Sequence, residues 1–197
     1  YTIAFQKYLG RISVDRVEMT PKGLRLMETV YWDFRKEPHL LISGGTGGGK
    51  SVLLFILILA LAKFSNLYIC DPKRADLANL ERYDVFQGQV YFEVPDIVNC
   101  VINAWKIMNQ RYDYMRQSPQ NKMGLDYSDY GMKPTFIIID EVGAMTSELE
   151  GMRGSRIAAE YFNALQQIAQ KGRQAGIFLI LSLQKAGVDA VPSNIRD

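Results

Sequence analysis

Residues 44–51 decide the fold of this chain and read Gly44-Gly45-Thr46-Gly47-Gly48-Gly49-Lys50-Ser51. They match the G-x-x-x-x-G-K-[ST] pattern and follow an apolar strand, His39–Ser43; the apolar run after them predicts a helix. Glycines let successive backbone N–H groups point at phosphate oxygens, and the helix N-terminus adds a positive dipole end. We therefore predict a phosphate-binding loop, with Lys50 on the β- and γ-phosphates of a nucleotide and the Ser51 hydroxyl on Mg²⁺.

A pair of acidic residues, Asp140 and Glu141, follows a second apolar run that begins at Phe136. The carboxyl end of a buried parallel strand is where α/β sheets bind ligands. Beside a phosphate loop, we expect Asp140 to reach Mg²⁺ and Glu141 to polarise the water that attacks the γ-phosphate. The simpler alternative is that Asp140 caps the next segment and Glu141 is solvated.

Three further features leave alternatives open. Gln184 follows an apolar strand, and its amide faces the γ-phosphate if that strand lies between the phosphate-loop strand and the Asp140 strand; otherwise it is a polar strand end. Arg173 in Lys171-Gly172-Arg173 either acts on the nucleotide of a neighbouring subunit or hydrogen-bonds the free carbonyl groups at a helix C-terminus. Chemistry alone favours the second role. The charges of Asp71-Pro72-Lys73 are structural or approach the nucleotide.

His39 is the sole histidine of the sequence, so no Ser-His-Asp or Cys-His arrangement can be built without it. A single histidine before a buried strand is typical of a structural role.

Apolar strands alternate with helical patterns along the chain, which predicts a mainly parallel α/β sheet covered by helices on both faces. The predicted core strands are 39–43, 66–70, 135–140 and 177–183, with a short strand near 89–93. Apolar spacing predicts helices over 96–117 and 155–172, and 118–133 is predicted to be an exposed loop. Residues 1–37 are predicted as a small β appendage with strands at 11–19 and 24–31, and residues 38–197 as the nucleotide-binding domain.

The composition fits one globular domain: 48% of the 197 residues are hydrophobic and 22% are charged. A net charge of +2 does not indicate nucleic-acid binding by itself, so such a surface would need local clustering or assembly. Cys70 and Cys100 are predicted to be buried free thiols of a reducing compartment. The apolar run Val52–Ala62 is too short to span a bilayer. Because the sequence starts at Tyr1, we expect it to be part of a longer protein.

With these features together, the chain resembles the motor domain of the FtsK/SpoIIIE family of DNA translocases. The resemblance rests on blocks at 38–52, 71–73, 111–115, 136–141 and 171–184. It implies a RecA-like (ASCE) P-loop ATPase fold, a nucleotide-binding stretch from Gly44 to Val52, ATP and Mg²⁺ as cofactors, and DNA moved through a homo-oligomeric ring, expected to be a hexamer. It also makes Arg173 a candidate arginine finger that acts on the nucleotide of a neighbouring subunit. The segment 143–157, with Arg153 and Arg156, becomes a candidate pore loop.

Tyr31-Trp32-Asp33-Phe34 and Val142-Gly143-Ala144 resemble, within that family, the coupling proteins of Gram-positive conjugative elements. This narrower resemblance implies a relaxase and a membrane secretion channel as partners. It also implies a cytoplasmic domain whose intact protein works at the cytoplasmic face of the membrane.

The sequence departs from the family pattern at Gly48, where Ser is usual, and at Lys185-Ala186-Gly187 after the last strand. By this resemblance we also expect this sequence to end before the family's last core strand. Two alternative functions stay open: a secretion ATPase of the same family that moves protein, and a nucleotide-gated recruitment module with little turnover. A small-molecule kinase is disfavoured by the Asp140–Glu141 pair and by the lack of a basic lid segment.

Overall fold

The N-terminal part of the protein forms a small antiparallel sheet. The computed structural model describes residues 19–26, 29–45, 47–151 and 155–184. Its first three strands pair in the order β1-β2-β3, and they are β1 (Met19–Thr20), β2 (Gly23–Arg25) and β3 (Tyr31–Trp32). The β1–β2 turn lies at Pro21-Lys22, where the sequence predicted it, whereas most of the predicted strand 11–19 falls outside the described residues.

The main sheet has five parallel strands in the order β4-β8-β7-β5-β6. They are β4 (Leu40–Ser43), β5 (Asn66–Cys70), β6 (Val90–Tyr91), β7 (Thr135–Ile139) and β8 (Ile177–Leu183). All residues of β7 and β8 are buried, as expected for strands covered on both faces. The strand β8 lies between β4 and β7. This is the strand order under which the Gln184 amide is expected from the sequence to face the γ-phosphate.

Within the described ranges, four helices cover the two faces of this sheet. They are α1 (Lys50–Leu61), α2 (Val94–Gln117), α3 (Val142–Glu150) and α4 (Arg156–Ala175). Helices α2, α3 and α4 bury one face. Helix α1, the N-terminal sheet and the 3-10 turns Leu77–Arg82 and Asp84–Phe86 bury the other. The predicted two-sided α/β architecture is therefore confirmed. Residues 118–133 form a succession of mostly exposed turns as predicted, except that Tyr127 is buried in the core.

Helix α3 corrects the expectation that 143–157 is a loop, because 142–150 are helical. Val142, Met145 and Leu149 are its buried residues, and their spacing of three and four places them on one helical face. Helix α4 also continues past the predicted end at Gly172 to Ala175, and it stops at Gly176, whose φ of 71° is left-handed.

The N-terminal sheet shares its core with the main sheet. The Phe34 ring contacts Phe136 and Phe178 edge-on, with centroids 5.1 and 5.2 Å away, and Trp32 contacts Phe136 at 6.0 Å. Leu24 is fully buried in the same cluster. The domain division at residue 37 remains a prediction, and Leu24, Trp32 and Phe34 pack on the face of the sheet that also carries α1.

His39 has a structural role, as the sequence indicated. Its Nδ1 accepts the Leu179 N–H at 3.1 Å, and its Nε2 lies 2.9 Å from the Ala169 carbonyl oxygen. This pattern requires a neutral ring with the proton on Nε2, which donates to Ala169. One imidazole thus connects the start of β4 to β8 and α4.

Both cysteines are buried and unpaired, as predicted. Within the described ranges, no helix combines the length and the apolar character that crossing a bilayer requires.

Candidate nucleotide-binding site

The loop between β4 and α1 has a backbone that demands glycine. Gly47 and Gly49 have φ values of 75° and 85°, and a Cβ on Gly48 would lie 2.9 Å from the Gly45 carbonyl oxygen. The Gly48 N–H donates to that same oxygen at 3.0 Å, which closes the turn. Thr46 lies outside the described residues. The remaining glycines form the narrow, side-chain-free turn that a phosphate group requires.

Positive charge concentrates at the start of α1. The Lys50 amino group donates to the carbonyl oxygens of Gly44 and Gly45, the latter at 3.1 Å, so it folds back over the loop. Ser51 and Val52 follow in the first turn and are partly buried. No acidic residue occurs in that turn to offset the helix dipole. This end of α1 therefore favours an anion.

Three polar residues form a row across the carboxyl edge of the sheet. Ile139 pairs with Cys70 on one side and with Leu181 on the other, so the next residues, Asp71, Asp140 and Ser182, are neighbours. The Asp140 N–H continues the ladder by donating to the Cys70 carbonyl oxygen at 2.9 Å.

Asp71 is 1% exposed, and its Oδ2 accepts the Ala78 N–H at 2.9 Å. Its Oδ1 has no hydrogen-bond partner among the described residues. One buried carboxylate oxygen therefore remains available beside Asp140.

The pKa of Asp140 is raised above its ordinary value of 3.8, chiefly because burial disfavours the ionised carboxylate. The Ser182 hydroxyl opposes this shift, although it lies outside good hydrogen-bond geometry. The negative charges of Asp71 and Glu141 raise the pKa further, and the positive charge of Lys50 lowers it. A carboxylate in these surroundings gains from a nearby cation. A hard carboxylate oxygen together with the Ser51 hydroxyl is a donor set that suits Mg²⁺.

The backbone leaves the direction of β7 at Glu141, because this residue is in the left-handed region with φ 58° and ψ 68°. Its Oε2 lies 3.6 Å from the Lys73 Nζ, and its Oε1 accepts the Gln184 N–H at 3.4 Å. A non-glycine residue in this region carries strain of about 1 kcal/mol, and such strain clusters at functional sites.

The end of β8 connects the phosphate loop to the acidic pair. The Gly44 N–H donates to the Leu183 carbonyl oxygen at 3.3 Å, and the next residue, Gln184, contacts Glu141. One strand separates β4 from β7, so their ends lie about 10 Å apart at ordinary strand spacing. The loop and the two acids thus meet at one edge of the sheet.

The remaining predicted residues lie at various distances from this edge. Gln184 is exposed at the end of β8, and Arg173 is exposed in the last turn of α4 rather than in the turn that follows. Arg156 starts α4 and pairs with Glu160 at 2.9 Å, with both side chains exposed. Arg153 lies outside the described residues.

Sequence reasoning did not identify two neighbours of the acidic pair. Ser182 is a polar residue within the otherwise apolar strand Ile177–Leu183, and this was an available signal. Lys73 was left undecided because its contact with Glu141 depends on the side-by-side packing of β5 and β7, which no local pattern reveals.

The glycine-rich loop precedes a helix, and the acidic pair ends a strand that is separated from the loop's strand by one other strand. This arrangement defines a RecA-like P-loop NTPase domain. The model of the FtsK/SpoIIIE family matches residues 17–142, and the chain belongs to this family. It is therefore a P-loop ATPase domain of the FtsK/SpoIIIE type.

Relatives and solved structures agree with this assignment. The chain is 38% identical over 189 residues to the Ftsk domain-containing protein YdcQ of Bacillus subtilis (strain 168), covering 95% of this chain and 38% of YdcQ. It is 29% identical over 183 residues to the DNA translocase FtsK of Staphylococcus aureus (strain Mu50), covering 81% of this chain and 21% of that protein. The chain thus spans well under half the length of these relatives.

Among solved structures, the fold is similar to the pCW3 conjugation coupling protein TcpA in its monomer form with ATPγS. The TM-score is 0.74 at 23% identity, over 94% of this chain and 54% of TcpA. The cytoplasmic domain of the Type VII secretion ATPase EccC from Thermomonospora curvata gives a TM-score of 0.54 at 24% identity, over 76% of this chain and 18% of EccC. At these identities the similarity concerns the fold.

Proposed function

We propose that this domain is the motor of an ATP-dependent DNA translocase of the conjugative coupling type. It hydrolyses MgATP and uses the cycle to move DNA through a homo-oligomeric ring, expected to be a hexamer. The observation that carries the proposal is the meeting of the glycine loop with Asp140 and Glu141 at one sheet edge, connected through the end of β8. The FtsK name of one relative and the coupling function of TcpA support DNA as the cargo.

The residues of the site take complementary roles in this proposal. The backbone from Gly44 to Gly49 cradles the phosphates, and Lys50 moves from the loop carbonyls to the β- and γ-phosphate oxygens. Ser51 and Asp140 hold Mg²⁺, which would supply charge neutralisation on the phosphates. Glu141 polarises the attacking water. Gln184 reports whether the γ-phosphate is present.

Arg173 is proposed to act on the nucleotide of a neighbouring subunit, since it is exposed and is not held within the site of its own chain. Its position in the last turn of α4 also suits a positive charge at a helix C-terminus. Loss of turnover at unchanged stability in Arg173→Ala would support the first role, and loss of stability alone would support the second.

Partners and location follow from the same proposal. By similarity to coupling proteins, the intact protein works with a relaxase and a secretion channel at the cytoplasmic face of the membrane, to which segments outside this chain attach it. The segment 143–157 contributes to the pore, with Arg153 and Arg156 as candidate DNA contacts.

The proposal is tested by the ATPase rate of the full-length protein with and without duplex and single-stranded DNA. DNA should stimulate turnover, and raising the salt concentration should reduce the stimulation steeply because phosphate contacts release counterions. Lys50→Ala should abolish hydrolysis and weaken nucleotide binding, whereas Glu141→Gln should retain binding and stop turnover.

Other outcomes would redirect the assignment. Stimulation by a protein substrate but not by DNA would favour a secretion ATPase, and tight nucleotide binding with negligible turnover of the assembled protein would favour a recruitment module. Undiminished turnover of Glu141→Gln would reject the role given to that residue.

A further inference from the structure

The Glu141 carboxylate is held from both sides by the ends of the two strands that flank its own. On one side, the Lys73 Nζ from the segment after β5 lies 3.6 Å from Oε2. On the other, the Gln184 N–H at the end of β8 donates to Oε1 at 3.4 Å. The carboxylate is mostly buried, with 14% of the side chain exposed, so it meets few water molecules.

The turn that carries Lys73 is itself firmly placed. Asp71 at its start donates its N–H to the Tyr91 carbonyl oxygen at 2.8 Å, and the Arg74 N–H closes the turn on the Asp71 carbonyl oxygen at 3.0 Å. The Arg74 guanidinium lies 2.6 Å from the Glu93 carboxylate. Lys73 therefore projects towards Glu141 from a support fixed on both sides.

Lys73 places a positive charge beside a group of carboxylates. Asp71, Asp140 and Glu141 bring three carboxyl groups to one edge of the sheet, at the ends of the neighbouring strands β5 and β7. Lys50, the other cation near this edge, is assigned to the phosphates and would be neutralised by them. Lys73 then keeps a positive charge on the far side of Glu141 and draws its carboxylate away from Asp140.

We propose that Lys73 is a positioning residue for ATP hydrolysis, which fixes the Glu141 carboxylate against the Gln184 main chain so that it can orient the attacking water. This inference rests on the role proposed above for Glu141. Lys73 does not contact the nucleotide in this assignment and acts only through Glu141. Because 43% of the Lys73 side chain is exposed, the ion pair adds little to the stability of the fold, and a loss of turnover can be separated from a loss of structure.

The test measures kcat, KM and the Kd for MgATPγS in the full-length protein. Lys73→Met should lower kcat by about tenfold to a hundredfold, as misplacement of a catalytic group by about 1 Å does, with the Kd unchanged within about twofold. Lys73→Arg keeps the charge and should restore most of kcat. The matched control is Lys36→Met, which removes an ion pair of the same 3.6 Å length, to Asp33 in the segment before β4, and should change nothing.

A double-mutant cycle distinguishes this role from others. In the Glu141→Gln background, Lys73→Met should cause no further loss of residual single-turnover hydrolysis, because its effect passes through the carboxylate. If Lys73→Met lowers the hydrolysis rate by the same factor in the Glu141→Gln background as in the wild type, the inference is overturned. It is also overturned if the Kd of Lys73→Met for MgATPγS rises by the same factor as its kcat falls.

Wild-type turnover of Lys73→Met beside an inactive Glu141→Gln would overturn the inference alone and leave the proposed function standing. Full activity of Glu141→Gln would instead overturn the role of Glu141 and this inference with it.

Discussion

Substitution of Gly172 tests how closely helix α4 packs against the start of β8. Gly172 lies near the end of α4, buried where the chain reverses into β8. A Cβ at this position would overlap the Ile177 carbonyl oxygen and would lie 3.2 Å from its carbon and 3.3 Å from the Ile168 Cγ2. Ile177 begins β8 and pairs with Thr135, so its carbonyl cannot rotate away without disturbing two strands.

Two opposing effects decide the outcome of Gly172→Ala. Alanine in a helix gains about 1 kcal/mol over glycine. Overpacking against atoms that cannot move costs about 1 to 3 kcal/mol, and a backbone oxygen argues for the upper end. We expect a net loss of about 2 kcal/mol in the free energy of unfolding, which corresponds to a fall in Tm of about 4 to 8 °C for a domain of this size.

The assay is urea unfolding followed by circular dichroism, with Gly151→Ala as the matched control. Gly151 has helical φ and ψ of −60° and −21°, and the nearest atom to a Cβ there is the Glu148 carbonyl oxygen at 3.3 Å. That variant should be neutral or slightly stabilised. The midpoint of Gly172→Ala should fall at an unchanged m-value. A Gly172→Ala protein as stable as the wild type would refute the reasoning, and so would equal losses in the two variants.

Three further perturbations follow from single side chains. Burial holds the pKa of His39 below its ordinary 6.5, so stability is retained above that pH and falls as the pH drops towards the lowered pKa. Urea unfolding across this range should show a pH slope that His39→Gln lacks. The raised pKa of Asp140 means that its charge destabilises the fold above that pKa and has no such effect below 3.8. Asp140→Asn should therefore raise the free energy of unfolding at neutral pH, lose that gain in acid and abolish turnover. Arg111 donates to the carbonyl oxygens of Ala175 at 2.8 Å and Lys133 at 3.0 Å, so Arg111→Met should lose about 2 kcal/mol in urea unfolding, with unchanged nucleotide affinity of the folded protein.

Each of these three has an outcome that contradicts it. Parallel pH slopes of stability in the wild type and His39→Gln would contradict the first. An Asp140→Asn protein less stable than the wild type at neutral pH would contradict the second. An unchanged urea midpoint of Arg111→Met would contradict the third.

The sequence also contained motifs whose meaning only packing explains. Arg111, Gly172 and Gly176 appeared only within blocks of a family resemblance, and the sequence alone assigns none of the three a physical role of its own. In the structure the Arg111 guanidinium holds the carbonyl end of α4, Gly172 lets that helix touch β8, and Gly176 has a left-handed φ over the Tyr127 ring. Helix α3 escaped prediction because it is short and carries Gly143 within a stretch interpreted as a pore loop.

What the sequence alone determined is local. The glycine loop, its lysine and its serine are neighbours in one run of eight residues, and the two acids directly follow an apolar strand, so each group is recognisable from its own local pattern. The apolar runs likewise predicted the buried strands, because burial on both faces requires continuous hydrophobic side chains.

The tertiary structure decided how these separate pieces meet. The order β4-β8-β7-β5 brings Gly44, Gln184, Glu141 and Lys73 to one edge from four distant parts of the chain. Contacts between strand ends depend on which strands are neighbours and in what register, and no residue pattern within a single strand contains that information.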